Sequence, residues 1–304
     1  MKNKVVLVGC GNVGMSYAYA LLNQRTNVNE LVLIDIDKDR VEGEVMDLNH
    51  CLAFAPSKID IKSGEYSDCS DATLVVIAAG ANQKPGETRM DLINKNSKIF
   101  KSIVTPIVES GFNGVFLVAT NPLDVMTYLT WKYSGFETNK VFGTGTSLDT
   151  SRLKYLVGSR LNVNPKSVHA YVIGEHGDSE FVPWSCADIA LQDIEGFIEK
   201  DELRKIEKEV KNAAYEIINK KGATYYGIGM TLAMITNAIL EDENRVITVS
   251  NYDSENNIYI GTPAVVGREG IKKRIYINLT DEETSRLQNS VDVIKGAIEE
   301  LEKW

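Results

Sequence analysis

The sequence predicts an α/β fold: a doubly wound parallel sheet followed by a second, α+β domain. Three observations carry this. Up to about residue 122, short runs that are apolar throughout alternate with stretches of helical period. Strands without a polar face belong to sheets covered on both sides, the habit of parallel sheets. A glycine-punctuated turn links the first such run to the first helix. After about residue 143 the pattern changes to charged helices and short runs separated by Asn- and Gly-rich turns, which read as antiparallel.

The elements follow in order. Val5-Val6-Leu7-Val8 is β-branched and apolar, a buried strand, and the helix after the glycines covers 15–23. Leu31-Val32-Leu33-Ile34 is the second strand and ends at Asp35; residues 38–52 are helical. Residues 59–61 alternate as a short strand, 74–79 form a third buried strand, and a polar loop with Gly and Pro leads to Arg89. Residues 91–109 are helical by period, with Thr88 placed to cap them. A strand at 115–119 ends in Thr120-Asn121-Pro122. In the second half, 148–161 is helical, and a short strand at 169–173 leads into Gly174-Glu175-His176-Gly177-Asp178. Helices at 200–221 and 223–240 precede strands at 247–250, 258–261 and 274–279. The last helix opens on Thr280-Asp281-Glu282-Glu283, the pattern of a capping box. Its Leu287, Val291, Ile294, Ile298 and Leu301 recur at steps of four and three, so one face packs.

Composition narrows the function classes. The chain of 304 residues has a net charge of -9, against the basic face that nucleic-acid binding needs. An anionic small substrate stays open, because a few buried Arg residues reverse the local field. The four cysteines, Cys10, Cys51, Cys69 and Cys186, form no CxxC pair and no metal-ligand spacing with a His, so reduced thiols and no metal site are expected. The apolar stretch after the basic start is too short for a signal peptide, and no stretch approaches the ~20 apolar residues of a membrane span. The expected location is the cytoplasm, with no membrane and no nucleic-acid partner.

The turn Gly9-Cys10-Gly11-Asn12-Val13-Gly14 has the context that a GxGxxG motif needs: a buried strand before it and a helix after it. Gly9 permits the tight turn, Gly11 a close backbone approach to a pyrophosphate, and Gly14 close packing of helix on strand. Asp35 ends the next strand 21 residues after Gly14, at the spacing of about 20 expected for a ribose-binding acid. Its carboxylate would accept from both ribose hydroxyls and repel a 2′-phosphate, which favours NAD over NADP. These are the marks of a Rossmann domain. The division expected is 1–142 for dinucleotide binding and 143–304 for the substrate, meeting directly with the site in their cleft. Ligands of such sheets lie beyond the carboxyl ends of the strands, which singles out 9–14, 35, 80–91 and 120–124.

Only three histidines, His50, His169 and His176, could serve as a neutral-pH acid/base. His50 ends a helix beside Cys51 and reads as an ordinary polar helix end. His169 precedes a strand and is open between a structural and a regulatory role. His176 lies between two glycines, whose local flexibility suits a side chain presented into a cleft. The residues alone leave His176 undecided between a catalytic group and a loop residue.

Five blocks resemble one family. Val172-Ile173-Gly174-Glu175-His176-Gly177-Asp178-Ser179 is similar to the active-site signature of L-lactate dehydrogenases. Ala79-Gly80-Ala81-Asn82-Gln83-Lys84-Pro85-Gly86-Glu87-Thr88-Arg89-Met90-Asp91 is similar to their mobile substrate loop. Thr120-Asn121-Pro122-Leu123-Asp124, the segment from Gly143 to Arg152 and that from Lys221 to Ile228 match three more. The resemblance runs in order along the chain, to the L-lactate and malate dehydrogenases and within them to the bacterial lactate dehydrogenases. It implies NAD-dependent interconversion of pyruvate and L-lactate, a fermentative step, by a cytoplasmic homo-oligomer, with a tetramer expected.

It also implies roles. His176 exchanges the proton, Asp149 is its partner, and Arg152, three residues on along the same helical face, anchors the substrate carboxylate with its planar fork. Arg89 polarises the carbonyl after loop closure. Asn121 contacts the same region and helps place the nicotinamide, after a peptide bond to Pro122 expected to be cis. Ala79 and Gly80 join the cofactor set, Thr224 lines the pocket, and Ile228 packs against the nicotinamide. Gln83 stands where malate dehydrogenases carry an Arg, so a second carboxylate would lack a partner. Lys154 and His169 match the basic positions of an interface site for fructose 1,6-bisphosphate. The first is usually Arg, and Lys meets phosphate as a point charge without the fork, so activation is expected to be weakened or absent. Malate or broader 2-hydroxy-acid dehydrogenases, and a catalytically idle NAD-binding protein on the same fold, remain the alternatives.

Overall fold

The computed structural model describes residues 2–81, 86 and 88–302, the side chains of Arg89 and Glu302 excepted. Strands β1 (Lys4–Val8), β2 (Glu30–Ile34), β3 (Asp60–Ser63), β4 (Leu74–Ile77), β5 (Val115–Val118) and β6 (Val141–Gly143) pair in parallel in the order β3-β2-β1-β4-β5-β6. The short strands β7 (Asp188–Ile189) and β8 (Gln192–Asp193) pair with each other in a separate two-stranded sheet. Strands β9 (Arg245–Asp253), β10 (Ile258–Gly267) and β11 (Gly270–Arg274) extend the main sheet beyond β6 in antiparallel fashion, to nine strands. The helices are α1 (Asn12–Leu22), α2 (Lys38–Cys51), α3 (Arg89–Glu109), α4 (Leu123–Ser134), α5 (Ser147–Leu161), α6 (Lys200–Lys221), α7 (Tyr226–Leu240) and α8 (Asp281–Glu302).

The unbroken apolar strands have the reason expected of them. Side chains alternate across a strand, and both faces of this sheet are covered. Val5, Leu7, Leu31, Leu33, Leu74 and Val76 pack into one core with α1, α2 and α7. Val6, Val8, Val32, Ile34, Val75 and Ile77 pack into a second with α3, α4 and α8. A third core, built on Leu153, Val157, Leu203, Ile206 and Val210, holds α5 against α6.

Both expected caps are present. Thr88 Oγ1 accepts from the Asp91 N–H at 3.1 Å while the Asp91 carboxylate accepts from the Thr88 N–H at 2.9 Å. Thr280 and Glu283 exchange the same pair of bonds at the start of α8. The Asn121–Pro122 bond is cis, as the resemblance implied.

Four differences are instructive. Helix α1 begins at Asn12 rather than 15, because Gly11 is extended and turns the chain straight into the first helical turn. Helix α4 was not foreseen: every residue from Leu123 to Thr130 is buried, so no amphipathic period betrays it. Its hydroxyls are satisfied within the helix, Thr127 donating to Leu123 O and Thr130 to Met126 O at 2.8 Å each. The strand expected at 169–173 is not formed; isolated bridges join His169 to Asp188 and Ile173 to Phe181. The last strand lies at Gly270–Arg274, before the expected 274–279. Ile275 still donates to Pro263 O at 2.8 Å, but a proline opposite has no N–H to return, and the ladder stops there.

The two halves meet through α1 and α7. Gly229 packs on Ser16, where a Cβ would come within 2.7 Å of backbone carbon. The buried Tyr17 hydroxyl pairs with Thr236 Oγ1 at 2.7 Å. No helix among the described residues is long and apolar enough to cross a membrane. Tyr17→Phe leaves the Thr236 hydroxyl without its cross-helix partner, and a loss of about 1–2 kcal/mol is expected. The urea unfolding midpoint of the variant, against the parent, measures it.

Candidate active site

The strand order reverses between β1 and β4, and the loops leaving these two strands lie side by side. Gly9 has φ +105°, and a Cβ there would collide with Ala79 backbone; a Cβ on Gly14 would strike the Gly9 carbonyl oxygen. Gly11 faces open space, with nothing within 4 Å of the Cβ position. Gly14 is therefore the contact that seats α1 on the sheet, and Gly11 the one that leaves its rim bare. Helix α1 starts with no side-chain cap and no acidic residue in its first turn, formed by Asn12, Val13 and Gly14. Its first N–H groups and the positive end of its dipole stay open to an anion. Asp35, at the end of β2, accepts from Cys10 N–H at 2.7 Å and Asp37 N–H at 3.2 Å, which aims the carboxylate at the same loop. This arrangement fits a dinucleotide.

A second group of strand-end residues is tied together. Thr120 donates to Ala79 O at 2.8 Å, and Gly80 is so close to Thr120 that a Cβ would clash with its methyl group. Buried Asn96, from α3, accepts from Ala81 N–H at 2.8 Å and donates to Asn121 O at 3.0 Å. Ala79, Gly80 and Asn121 thus share one hydrogen-bonded frame, and Asn121 is itself exposed at its rim.

The proton couple sits on α5. Asp149 is only 1% exposed. Its Oδ2 lies 2.7 Å from His176 Nδ1 and its Oδ1 accepts from Arg152 NH1 at 2.6 Å. An ionised carboxylate only accepts, so Nδ1 carries a proton and Nε2 is the exchanging nitrogen. Burial works against the imidazolium, but the charge and hydrogen bond of Asp149 outweigh it, and the His176 pKa is held up at about 9. Burial likewise opposes ionisation of Asp149; His176 and Arg152 overcome it and keep the carboxyl below its ordinary range. The His176 side chain is 24% exposed and that of Arg152 14%, so both reach the cleft. With one nitrogen engaged, the guanidinium keeps donors in the planar fork that matches a carboxylate.

The loop carrying His176 is pinned, which corrects the expectation of a flexible segment. Gly174 has φ +103° and exchanges two backbone bonds with Gly261 of β10, at 2.9 and 3.0 Å. Its missing side chain makes room for Ser290, whose hydroxyl donates to Ser179 O at 2.8 Å. Ser179 in turn donates to Glu175 at 2.5 Å. The His176 N–H donates to Asp124 Oδ2 at 2.8 Å, and Ser250 of β9 donates to Asp124 Oδ1 at 2.5 Å. Glu180, also buried, brings a second carboxyl to 4.0 Å from His176 Nδ1; burial and then Asp149 push its pKa well up. Asn96, Glu180 and Ser250 were missed by the sequence reading, and Asp124, though inside the singled-out stretch 120–124, was given no role. Asp124 alone left a signal, a carboxyl inside an apolar run next to a strand end.

The remaining expected residues fall as follows. Thr224 is half-buried in the segment before α7. Ile228 is half-buried against the first core, between Gly227, which faces Leu148 at the start of α5, and Gly229, which faces Ser16 of α1. Half-buried Lys154 stacks over Tyr171 at 5.7 Å, with burial and the charge of Arg245 lowering its pKa. His169 is exposed, its backbone paired with Asp188. Gln83 lies outside the described residues, as does the side chain of Arg89, whose backbone opens α3.

Comparison with known proteins agrees along the whole length. Residues 3–143 match the model of the lactate/malate dehydrogenase NAD binding domain, and 146–304 that of the family's alpha/beta C-terminal domain. The L-lactate dehydrogenase of Borrelia hermsii is 51% identical over 99% of both chains, and that of Halalkalibacterium halodurans 52% over 96% of both. A crystal structure of a lactate dehydrogenase from a deep-sea metagenome library superposes with TM-score 0.95 at 50% identity, covering 98% of this chain and 99% of that one. The minor L-lactate dehydrogenase of Enterococcus mundtii in its ligand-bound form superposes with TM-score 0.94 at 44% identity, over 98% of both.

Asp149→Asn removes the charge that holds the His176 proton while leaving a side chain of the same shape. His176 is then expected to release its proton well below pH 9, toward the ordinary imidazole range of about 6.5. NMR titration of the imidazole resonances reads this directly; an unmoved midpoint would show that Asp149 is not its source.

Proposed function

The chain belongs to the lactate/malate dehydrogenase family, and on that premise we propose that it is an NAD-dependent L-lactate dehydrogenase interconverting pyruvate and L-lactate. The observation that carries the reading is the buried couple in which the two oxygens of Asp149 engage His176 and Arg152. A 2-oxo acid bears a ketone next to a carboxylate, and this couple holds a proton donor next to a carboxylate fork.

Gly9, Gly11, Asn12, Val13 and Gly14 would hold the pyrophosphate of NAD and Asp35 its ribose, with Ala79, Gly80, Asn121 and Ile228 lining the way to the nicotinamide. When bound, NAD supplies or accepts the hydride at the substrate carbon. Arg152 grips the substrate carboxylate bidentately and so orients the carbonyl. His176 gives its Nε2 proton to the carbonyl oxygen in reduction and takes it back in oxidation. Asp149 stabilises the imidazolium before transfer and fixes the tautomer after it. Arg89 is assigned to the oxygen where negative charge develops, Thr224 to the pocket wall, and Gln83 to the neutral contact that leaves a second carboxylate unpaired.

The division at 1–142 and 143–304 belongs to the same proposal and is supported by the family models, which adjoin between residues 143 and 146. A cytoplasmic homotetramer serving the NADH-reoxidising step of fermentative glycolysis is proposed. Exposed apolar side chains on α1, α2 and α7, among them Tyr19, Met46 and Met230, support burial between subunits. Lys154 and His169 are assigned to an interface phosphate site that lacks the Arg fork, and fructose 1,6-bisphosphate is expected to activate weakly or not at all. A titration giving tight, strong activation overturns that assignment.

Initial rates of NADH oxidation with pyruvate and with oxaloacetate, in the parent and in Gln83→Arg, test the main reading. The parent is expected to prefer pyruvate, and the variant to shift the kcat/KM ratio toward oxaloacetate by tenfold or more, about the scale of one unpaired polar group. Preference of the parent for oxaloacetate would make the protein a malate dehydrogenase. No NADH consumption with either acid would point to a bulkier 2-oxo acid or to an idle NAD-binding protein.

A further inference from the structure

Asp124 has no role in the proposed reaction, yet its side chain joins three distant segments. It sits in the first turn of α4, three residues after Asn121, and is 2% exposed. One oxygen accepts from the backbone N–H of His176 at 2.8 Å, the other from the Ser250 hydroxyl at 2.5 Å. Ser250 lies opposite Gly143 in the pairing of β9 with β6, so the far end of the clamp is fastened to the sheet. Through Asp124, the end of β5, the His176 loop and β9 share one side chain.

A carboxylate is an expensive acceptor to bury. Burial pushes the Asp124 carboxyl up to about 6, against the hydrogen bonds from Ser250 and His176. An amide or hydroxyl could hold a backbone N–H at less cost, so the retained charge needs a purpose. The imidazole bonded to Asp149 provides one.

We propose that Asp124 is a positioning residue for proton transfer: it fixes the backbone of His176 relative to the segment bearing Asn121, and its negative charge favours the protonated imidazole. The inference rests on the dehydrogenase reading. Other charges also face this centre: Asp149 and Arg152 from α5, Glu175 and Glu180 from the loop itself, and Lys211 of α6 beside Glu180. Asp149 is bonded to the ring and Asp124 only to the backbone, so Asp124 contributes the smaller share of the field and the larger share of the placement.

Three variants separate these parts. Asp124→Asn keeps an acceptor for the His176 N–H but carries no charge. It is expected to retain most of kcat for pyruvate reduction while the alkaline limb of the pH profile moves down, by less than in Asp149→Asn. Asp124→Ala loses both. Its kcat is expected to fall about tenfold to a hundredfold, the cost of misplacing a reacting group by a fraction of an ångström to one ångström, with KM for pyruvate little changed because Arg152 is untouched. Ser250→Ala loosens one end of the clamp and should fall between parent and Asp124→Ala; it carries the test if Asp124→Ala does not fold. Parental kcat and pH limb in Ser250→Ala and Asp124→Ala would overturn the proposal. So would a loss expressed in KM alone, or an Asp124→Asn variant no better than Asp124→Ala. NMR titration of His176 in Asp124→Asn requires no turnover: a lowered midpoint supports the inference even if the parent fails to reduce pyruvate, whereas an unmoved midpoint in an active parent defeats the inference alone.

Discussion

Asp149 carries a charge into the interior of the protein, and much of the site exists to make that tolerable. An unpaired buried carboxylate costs more than a small domain can supply. Here each oxygen is answered by a cationic group, His176 on one side and Arg152 on the other. The attraction runs both ways. It keeps Asp149 ionised and His176 protonated, and it ties both cationic groups to one carboxylate. Helix α5 delivers Asp149 and Arg152 from one turn, so their spacing is set by helical geometry alone. His176 has no such support from the helix, and its loop is held by backbone pairing at Gly174, by Asp124 and by the Glu175–Ser179–Ser290 contacts.

Close backbone approach is the second constraint. Gly9 against Ala79, Gly14 against the Gly9 carbonyl, Gly80 against Thr120 and Gly229 against Ser16 are four places where a side chain would force segments apart. The first brings the ends of β1 and β4 together at the point where sheet order reverses, the second seats α1 on the glycine turn, the third joins the ends of β4 and β5, and the fourth seats α7 of the second half on α1 of the first. The cofactor turn and the proton couple therefore share a support: α1 starts at the glycine turn and packs on α7, and α7 begins against Leu148, next to Asp149.

These facts explain what the sequence could and could not reveal. The parallel strands were legible because burial on both faces leaves no polar residue, and the glycine turn because its backbone geometry restricts residue type. Helix α4 was not, since burial on every side erases the period that marks a helix. The strand expected at 274–279 misled because alternation says nothing about the partner, and here the partner was Pro263. His176 could be shortlisted by scarcity, with three histidines in 304 residues. Its glycines were read as flexibility, whereas they serve tight packing. Asp124, Glu180 and Asn96 act through contacts 52, 4 and 25 residues away in the chain, with His176 for the first two and Asn121 for the third. No local pattern encodes the distant pairs, and the near one, Glu180, is just another acid in a polar loop.

The charge inventory also sets a direction. Without substrate, the cluster holds Asp149 ionised, Glu180 with its pKa raised, Arg152 charged and His176 protonated up to about pH 9. At neutral pH the site is thus loaded with the proton that reduction of a ketone consumes. A substrate carboxylate settling on Arg152 adds a negative charge near the imidazolium and strengthens that state, so anion binding and protonation of His176 support each other. Oxidation of a hydroxy acid needs the neutral imidazole, which in the free protein prevails only above the raised pKa. Under the proposed reaction, reduction is favoured across the neutral range and oxidation gains as pH rises through about 9. The sign follows from Asp149: a buried acid whose ionised form is kept by its neighbours raises the base beside it, and a raised base is already protonated at neutral pH, where it is a donor and not an acceptor.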